Sequence, residues 1–359
     1  MSPSAKHPRV SIIINTYNHE KFIAQAIGSA LQQDFPIADM EIIVVDDGST
    51  DKTPEIIKTF LPHIHYIRKP NGGQVSAFHS GIASARGEIV AFLDGDDWWT
   101  TEKIRKVVDA FDRYSGIAAV GHGFFEVDEN GAVRRVMRPE REYQLDFGTC
   151  DSARFAANLR VFGGTSRMAM RRSAVDRALP VPLKMPFFDN FLFTQAIALS
   201  GAVLLAQPLC YYRLHARNLY ASAKIDQDNL RRRYVLQASL VENLPARLAS
   251  LGVSDEIISA ALECDRLDAA RLRLLVDGGK PWETFQVERS EFRIGYQNPS
   301  LSYTLFKYLA LFITLIMPPR SFYSLKKWYA EHDLKRIRSW IAGANARVPD
   351  GVRRVEKQS

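Results

Sequence analysis

Solid apolar runs alternate with amphipathic ones over the first third of the chain. VSIIIN at residues 10–15, IIVV at 42–45, IHYIR at 64–68 and IVAFL at 89–93 are rich in β-branched residues. The three longest apolar runs lack the every-other-residue alternation of a half-exposed strand, which is the pattern of parallel strands buried on both faces. After Asn18 and His19, the residues Phe22, Ile23, Ala26, Ile27, Ala30 and Leu31 recur at helical spacing. Residues 53–60 predict a short helix, and residues 75–85 another after the Asn71-Gly72-Gly73 turn. Such alternation predicts an α/β fold with a mostly parallel sheet, right-handed crossovers and helices on both faces.

The rhythm then loosens. Residues 103–114 read as a helix, and residues 118–127 as a strand leading through a DENG turn to another that ends at Val136. Three prolines make residues 180–186 a loop, residues 188–198 regain helical spacing, and short strands are predicted at 203–205 and 209–214. Residues 224–273 are helical and rich in Arg, Leu and Ala. These patterns divide the chain into a catalytic domain at 1–222, a helical extension at 223–300, and an apolar and basic segment at 301–359 that frays into a tail.

The last segment opens with LSYTLFKYLALFITLIM at 301–317, which carries Lys307 and closes on Pro318-Pro319. A spanning helix needs about 20 predominantly apolar residues, so this one is marginal. Its flank, SFYSLKKWYAEHDLKRIR, mixes aromatics with Lys and Arg as segments seated in a membrane interface do. Docking on a membrane surface, packing on the protein and crossing the bilayer all stay open.

Composition, 46% hydrophobic and 24% charged, fits a folded globular protein and names no special class. The net charge of +7 says more, because Arg231 to Arg233, Lys326, Lys327, Lys335 to Arg338, Arg353, Arg354 and Lys357 all fall late in the chain, in its last 130 residues. No helix-turn-helix, zinc module or RNA-binding signature accompanies them, so nucleic acid is not expected as a partner. Anionic lipid accounts for basic and aromatic residues together. Cys150, Cys210 and Cys264 are odd in number and far apart, with no disulfide framework or metal-ligand spacing. A reducing compartment fits, and MSPSAKHPRVSIIIN has no signal-peptide pattern, so a cytoplasmic catalytic part on the inner membrane face is expected.

Two of the apolar runs end in acid. IIVV leads into Asp46, Asp47, Gly48, Ser49, Thr50 and Asp51, and IVAFL leads into Asp94, Gly95, Asp96 and Asp97. Ligands of open α/β sheets bind beyond the carboxyl ends of the strands, so the two acidic ends are expected to meet in one crevice. Clustered carboxylates are costly to desolvate without a cation. Oxygen ligands of this type suit Mg²⁺ or Mn²⁺ shared with substrate phosphates. Taken singly, each string also reads as a turn that caps the next helix.

Three stretches, VSIIINTYNHEKFIAQAIGSALQQDF, EIIVVDDGSTDKT and NGGQVSAFHSGIASARGEIVAFLDGDD, resemble in order and spacing the opening of the family-2 glycosyltransferases, which have the GT-A, nucleotide-diphospho-sugar transferase fold. The resemblance covers roughly residues 8–220. It implies inverting transfer of a sugar from a nucleotide diphosphate donor, a UDP-sugar in the family's commonest usage, to a hydroxyl of a glycan or lipid-linked saccharide, with a divalent cation. By the same match Thr16, Tyr17 and Asn18 cup the nucleoside and Asp47 reads the base. Asp94, Gly95 and Asp96 form the Asp-X-Asp motif, with Asp96 toward the metal, Asp94 toward the ribose and Asp97 next to the metal shell. Lys69, Asn71 and Gln74 touch base or donor, or belong to a solvated loop. Asp189 corresponds to the family's general base, although Phe188 stands where the family has Glu; an N-cap role is its alternative. In YYRLHARNLY at 211–220, His215 offers an imidazole to the metal, or Arg213 and His215 meet the diphosphate. Residues 162–166, FGGTS, are expected as an acceptor-side loop whose glycines admit a sugar.

Two rivals remain at this level. LDGDD also resembles the nucleophile motif of haloacid-dehalogenase-type phosphatases, with Asp94 attacking phosphate, but Asp97 departs from that pattern and the motif lies deep in the chain. A non-catalytic nucleotide-sugar-binding partner is the other, against which Asp94, Asp96 and Asp189 all stand intact.

Overall fold

The computed structural model describes residues 7–182, 188–215, 218, 227–295, 301–331 and 352–354. The soft boundary at residue 222, the basic run at 335–338 and most of the C-terminal tail lie outside them. In chain order the elements are β1 (Val10–Thr16), α1 (Ile23–Leu31), β2 (Met40–Asp46), α2 (Thr53–Lys58), β3 (His65–Arg68), α3 (Gln74–Ser84), β4 (Ile89–Asp94), β5 (Trp98–Trp99), α4 (Lys103–Arg113), β6 (Ala119–Val127), β7 (Val133–Met137) and β8 (Tyr143–Leu145). They continue as α5 (Cys150–Leu159), β9 (Met168–Arg171), α6 (Arg172–Ala178), α7 (Phe188–Ser200), β10 (Ala202–Arg213), α8 (Gln227–Ser250), α9 (Asp255–Ala261), α10 (Glu263–Val276), α11 (Pro281–Gly295), α12 (Leu301–Ile316), α13 (Pro319–Glu331) and β11 (Val352–Arg354).

The described strands form one sheet in the order β11-β7-β6-β9-β4-β1-β2-β3, with β10 alongside β6. The half from β4 to β3 is parallel, as the apolar runs predict. Ile12, Ile13, Ile14, Ile43, Val44, Phe92 and Leu93 are wholly buried there. Helices cover both faces, so these strands have no exposed side on which alternation would show.

The other half adds one strand and corrects another. Short β9, which the sequence patterns did not predict, lies antiparallel between β4 and β6. The predicted strands at 203–205 and 209–214 are one strand, β10, parallel to β6 with register shifts on either side of Pro208. Proline has no N–H for the ladder, so pairing slips there and resumes beyond it.

The chain divides into two compact units, Met1–Ala221 with Asn243–Ala261 and Gly351–Ser359, and Ser222–Glu242 with Leu262–Asp350. The second unit is helical. Its core holds Leu274, Val287, Phe322 and Tyr323, with Ile313 of α12 and Met317 just after it packed against them. No described helix is long and apolar enough to cross a membrane.

Candidate active site

Register brings the acidic strand ends together. Thr16 at the end of β1 pairs with Asp46 on one side, and Asn15 pairs with Asp94 on the other. The three parallel strands therefore stop at one level, and the turns after them share one crevice.

The turn after β2 is tied to the loop after β3. Asp46 is buried; its Oδ1 accepts from the Ser49 N–H at 2.8 Å and its Oδ2 from the Tyr66 hydroxyl at 3.0 Å. Asp47, 3% exposed, accepts from Lys69 Nζ at 2.6 Å, from the Gly72 N–H at 3.0 Å and from the Gly73 N–H at 2.7 Å. A side chain on Gly48 (φ +80°) would fall 2.8 Å from the Asn71 nitrogen, so the two loops meet only because that position is glycine. Asn18 (φ +55°) stitches the β1 turn to the same place: its N–H donates to Ser49 Oγ at 2.9 Å and its Oδ1 accepts from the Thr50 N–H at 2.8 Å. Tyr17 stands between Thr16 and Asn18 with 45% of its surface free.

Gly95 seals β4 against β1. Its N–H donates to the Asn15 carbonyl at 2.8 Å, and a Cβ there would lie 2.8 Å from Thr16 Oγ1 and 2.9 Å from the Asn15 oxygen. Asp94 Oδ1 accepts from Gln74 Nε2 at 2.9 Å. Burial, and then the Asp96 charge, push the Asp94 carboxyl up to about 7. Burial by itself would raise Asp96 too, but the His215 hydrogen bond and the His19 and His215 charges outweigh it and hold Asp96 below its ordinary value. His215 Nε2 lies 2.9 Å from Asp96 Oδ2, and His19 Nε2 lies 4.0 Å from the same atom.

Asp97 and Arg213 take places other than those expected. Asp97, 2% exposed, turns into the protein and accepts the Arg213 N–H at 2.9 Å. Burial, then the charges of Asp96 and Asp94, push its carboxyl well up. The Arg213 guanidinium, rather than being open to a diphosphate, donates to the Asp96 carbonyl at 2.9 Å, the Glu129 carbonyl at 2.6 Å and Gln25 Oε1 at 2.5 Å. It also lies 4.5 Å from the ring centres of both Phe22 and Trp98. This arginine braces the Asp-Gly-Asp-Asp turn from beneath.

Asp189, in the first turn of α7, reaches the opposite side. Its Oδ2 accepts from the Thr165 N–H at 3.3 Å, its Oδ1 from the Asn190 N–H at 2.8 Å, and its charge is among those that raise Asp94. The next residue links the two sides: Ser166 Oγ accepts the Asp94 N–H at 3.1 Å, while its carbonyl accepts Trp99 Nε1 and Lys103 Nζ, both at 2.9 Å. Lys103 is fully buried, 3.5 Å above the Trp99 ring, and burial holds its amine well below the ordinary lysine range. The glycines of this segment are also required by packing. A Cβ on Gly163 would enter the Phe193 ring at 2.3 Å, and one on Gly164 the Arg167 guanidinium.

The structure thus gathers Thr16, Asn18, Asp47, Lys69, Gln74, Asp94, Gly95, Asp96, Asp189 and His215 on the turns at the carboxyl ends of the strands. It adds His19 and Lys103, which sequence reasoning passed over, and gives Thr165 and Ser166 of the expected 162–166 loop specific partners. The signal for His19 was its place three residues after Thr16, in the same turn. Lys103 sits on an amphipathic helix, where a lysine reads as solvent-facing.

A divalent cation fits this donor set when phosphate oxygens complete it. Among the described residues no three His, Cys, Asp or Glu side chains are grouped to hold a metal alone. Asp96 with His215 beside it, and Asp94 crowded by Asp96, supply part of a shell that a nucleoside diphosphate would finish.

The family model for glycosyl transferase family 2 matches residues 11–179. An uncharacterized glycosyltransferase of Nostoc sp. is 32% identical over 222 residues, covering 60% of this chain and 67% of that one. An uncharacterized protein of Mycobacterium bovis is 30% identical over 229 residues, covering 61% and 62%. The crystal structure of S. aureus TarS in complex with UDP-GlcNAc shares the fold at a TM-score of 0.54 and 21% identity, covering 80% of each chain. With the acidic strand ends inside the matched region, the chain belongs to glycosyl transferase family 2.

Proposed function

We propose that the protein transfers a sugar from a nucleotide diphosphate donor to a hydroxyl of a glycan or lipid-linked saccharide, with inversion at the sugar carbon, in cell-surface polysaccharide synthesis. One observation carries the reading: Asp94 and Asp96 stand on one side of the crevice and Asp189 on the other, joined through Thr165 and Ser166. The nucleoside lies along Thr16, Tyr17 and Asn18, with Asp47 and Lys69 beneath its base. Reaching the base requires Asp47 to exchange one of its bonds to the loop at 69–73, so that loop moves as the donor binds.

Asp96 and His215 would hold the divalent cation, Mg²⁺ or Mn²⁺, which would supply charge to offset that developing on the departing diphosphate. Asp189 accepts the proton of the acceptor hydroxyl as its oxygen bonds to the sugar carbon and the bond from that carbon to the diphosphate oxygen breaks. Gln74 holds Asp94 in place toward the ribose. Arg213 acts through the turn that it supports. The phosphatase reading of Asp94 falls with the family membership. The protein works in the cytoplasm, at the inner membrane face where a lipid-linked acceptor is presented.

The test is binding and turnover of a nucleotide-sugar panel with Mn²⁺, Mg²⁺ or chelator. TarS was solved with UDP-GlcNAc, so UDP-sugars come first. Metal-dependent binding that Asp96→Ala abolishes, together with turnover that Asp189→Ala abolishes while binding survives, supports the assignment. Donor binding that survives Asp96→Ala, or undiminished turnover in Asp189→Ala, overturns these roles.

A further inference from the structure

The helical unit carries an apolar stripe that its own core does not use. On α12, Leu311 and Thr314 are buried, and Ile313, with Met317 just after the helix, packs on Leu274, Val287, Phe322 and Tyr323. On the other side, Leu305, Tyr308, Leu309, Phe312, Leu315 and Ile316 are 38–67% exposed. Their spacing of three and four residues places them on one face, about 16 Å long at the α-helical rise. On α13, Leu325 and Trp328 are 43% and 50% exposed. Monomeric soluble proteins seldom leave so many large side chains contiguous and open.

Charge identifies the occupant. Residues 301–350, the part of this stretch that belongs to the helical unit, hold eight Lys and Arg against three Asp and Glu, which is +5 of the formal net charge of +7. The excess positive charge and the exposed stripe occupy the same stretch of chain. A second copy of the protein would set two such segments against each other, and like charge opposes that. A neutral apolar partner would leave the charge unused. A bilayer with anionic headgroups takes both, with apolar side chains at the acyl boundary and cations among the phosphates. No described helix is long and apolar enough to cross a membrane, and the open stripe suits lying in the interface.

We propose that the exposed face of α12, with Leu325 and Trp328 of α13, seats the helical unit on an anionic membrane surface. The docking is independent of the transfer chemistry, so vesicle binding and sugar transfer can fail separately. Lys326 is tied to Glu288 and Glu291, and Arg320 to the carbonyls of Leu275 and Val276, so these two take little part.

The test is co-sedimentation of the full chain with vesicles of phosphatidylcholine, with and without phosphatidylglycerol, at low and high salt, for the wild type and a Leu309→Ser/Phe312→Ser double variant. Both substituted side chains are about 60% exposed, so the fold is kept, and an unchanged melting curve confirms it. The wild type should pellet with the anionic vesicles and release at high salt, and the double variant should partition about tenfold less or lower. Failure of the wild type to bind at low salt, or equal binding by the double variant, overturns the proposal. So does a double variant that changes oligomeric state while its vesicle binding stays the same, because the stripe is then an interface between copies.

Discussion

Replacing Asp94 with Asn should stabilise the protein while abolishing transfer. The side chain keeps its shape and still accepts from Gln74, but no longer carries charge beside Asp96. In the metal-free protein the Asp94 carboxyl is raised from 3.8 to about 7. Below about pH 4 it is protonated in both folded and unfolded chains and costs nothing. As pH rises, the unfolded chain releases its proton first, so stability is lost until about pH 7 and the deficit is constant above that. About three pH units at about 1.4 kcal/mol each set a ceiling near 4 kcal/mol; sharing of the repulsion with Asp96, and access to solvent, bring the expected gain to about 2 kcal/mol. Urea denaturation in chelator at about pH 8 and about pH 5 measures it, and the gap between variant and wild type should shrink at the lower pH. Adding Mn²⁺ with a nucleoside diphosphate should raise the stability of the wild type more than that of the variant. A variant no more stable than wild type at the higher pH, or a gap that ignores pH, would refute the account of these carboxylates.

Gly95→Ala puts a methyl group within 3 Å of Thr16 Oγ1 and of the Asn15 carbonyl, one of them backbone that cannot turn aside. It should cost about 1–3 kcal/mol in urea denaturation and lower kcat/KM on the order of 100-fold by displacing the carboxylates. Asp189→Asn should lower kcat about 10²–10⁴-fold at saturating acceptor with donor affinity unchanged, and unaffected turnover would reduce Asp189 to a helix cap. Lys103→Met keeps an unbranched stem over Trp99 but removes a donor from the Ser166 carbonyl. It should cost about 1–3 kcal/mol of stability and lower kcat without changing donor affinity, as measured by denaturation and steady-state kinetics.

The parts of the site that could be read from the sequence are those whose geometry is local. A buried strand announces itself by its apolar run, and the carboxylates of Asp47, Asp94 and Asp96 follow within two residues of a strand end, so chain direction alone carries them to the crevice. Direction of a side chain within a turn is another matter. Asp96 and Asp97 are adjacent and chemically alike, yet one meets His215 and the other meets the Arg213 N–H in the interior. Arg213 likewise looked like a diphosphate ligand because nothing nearby in sequence shows that Asp96, Glu129 and Gln25 already use its donors. In the Phe162 to Ser166 stretch glycine signals close approach, and only the position of α7 shows that Phe193 is one of the approaching groups.

The sequence by itself determined the parallel half of the sheet, the acidic strand ends, the retained aspartate at the start of α7 and the apolar, basic C-terminal segment, since each follows from residue type and spacing along a few turns of chain. Only the tertiary structure decided that β9 runs antiparallel between β4 and β6, that His19 approaches Asp96 across 77 positions, and that a buried lysine holds the carbonyl of Ser166 between Asp94 and Asp189. It also decided which face of α12 is left open. The division has one physical cause. Backbone preference and hydrophobic period act between near neighbours, whereas hydrogen-bond partners, desolvation and the contacts that glycine permits are set by whichever distant segment packing brings alongside.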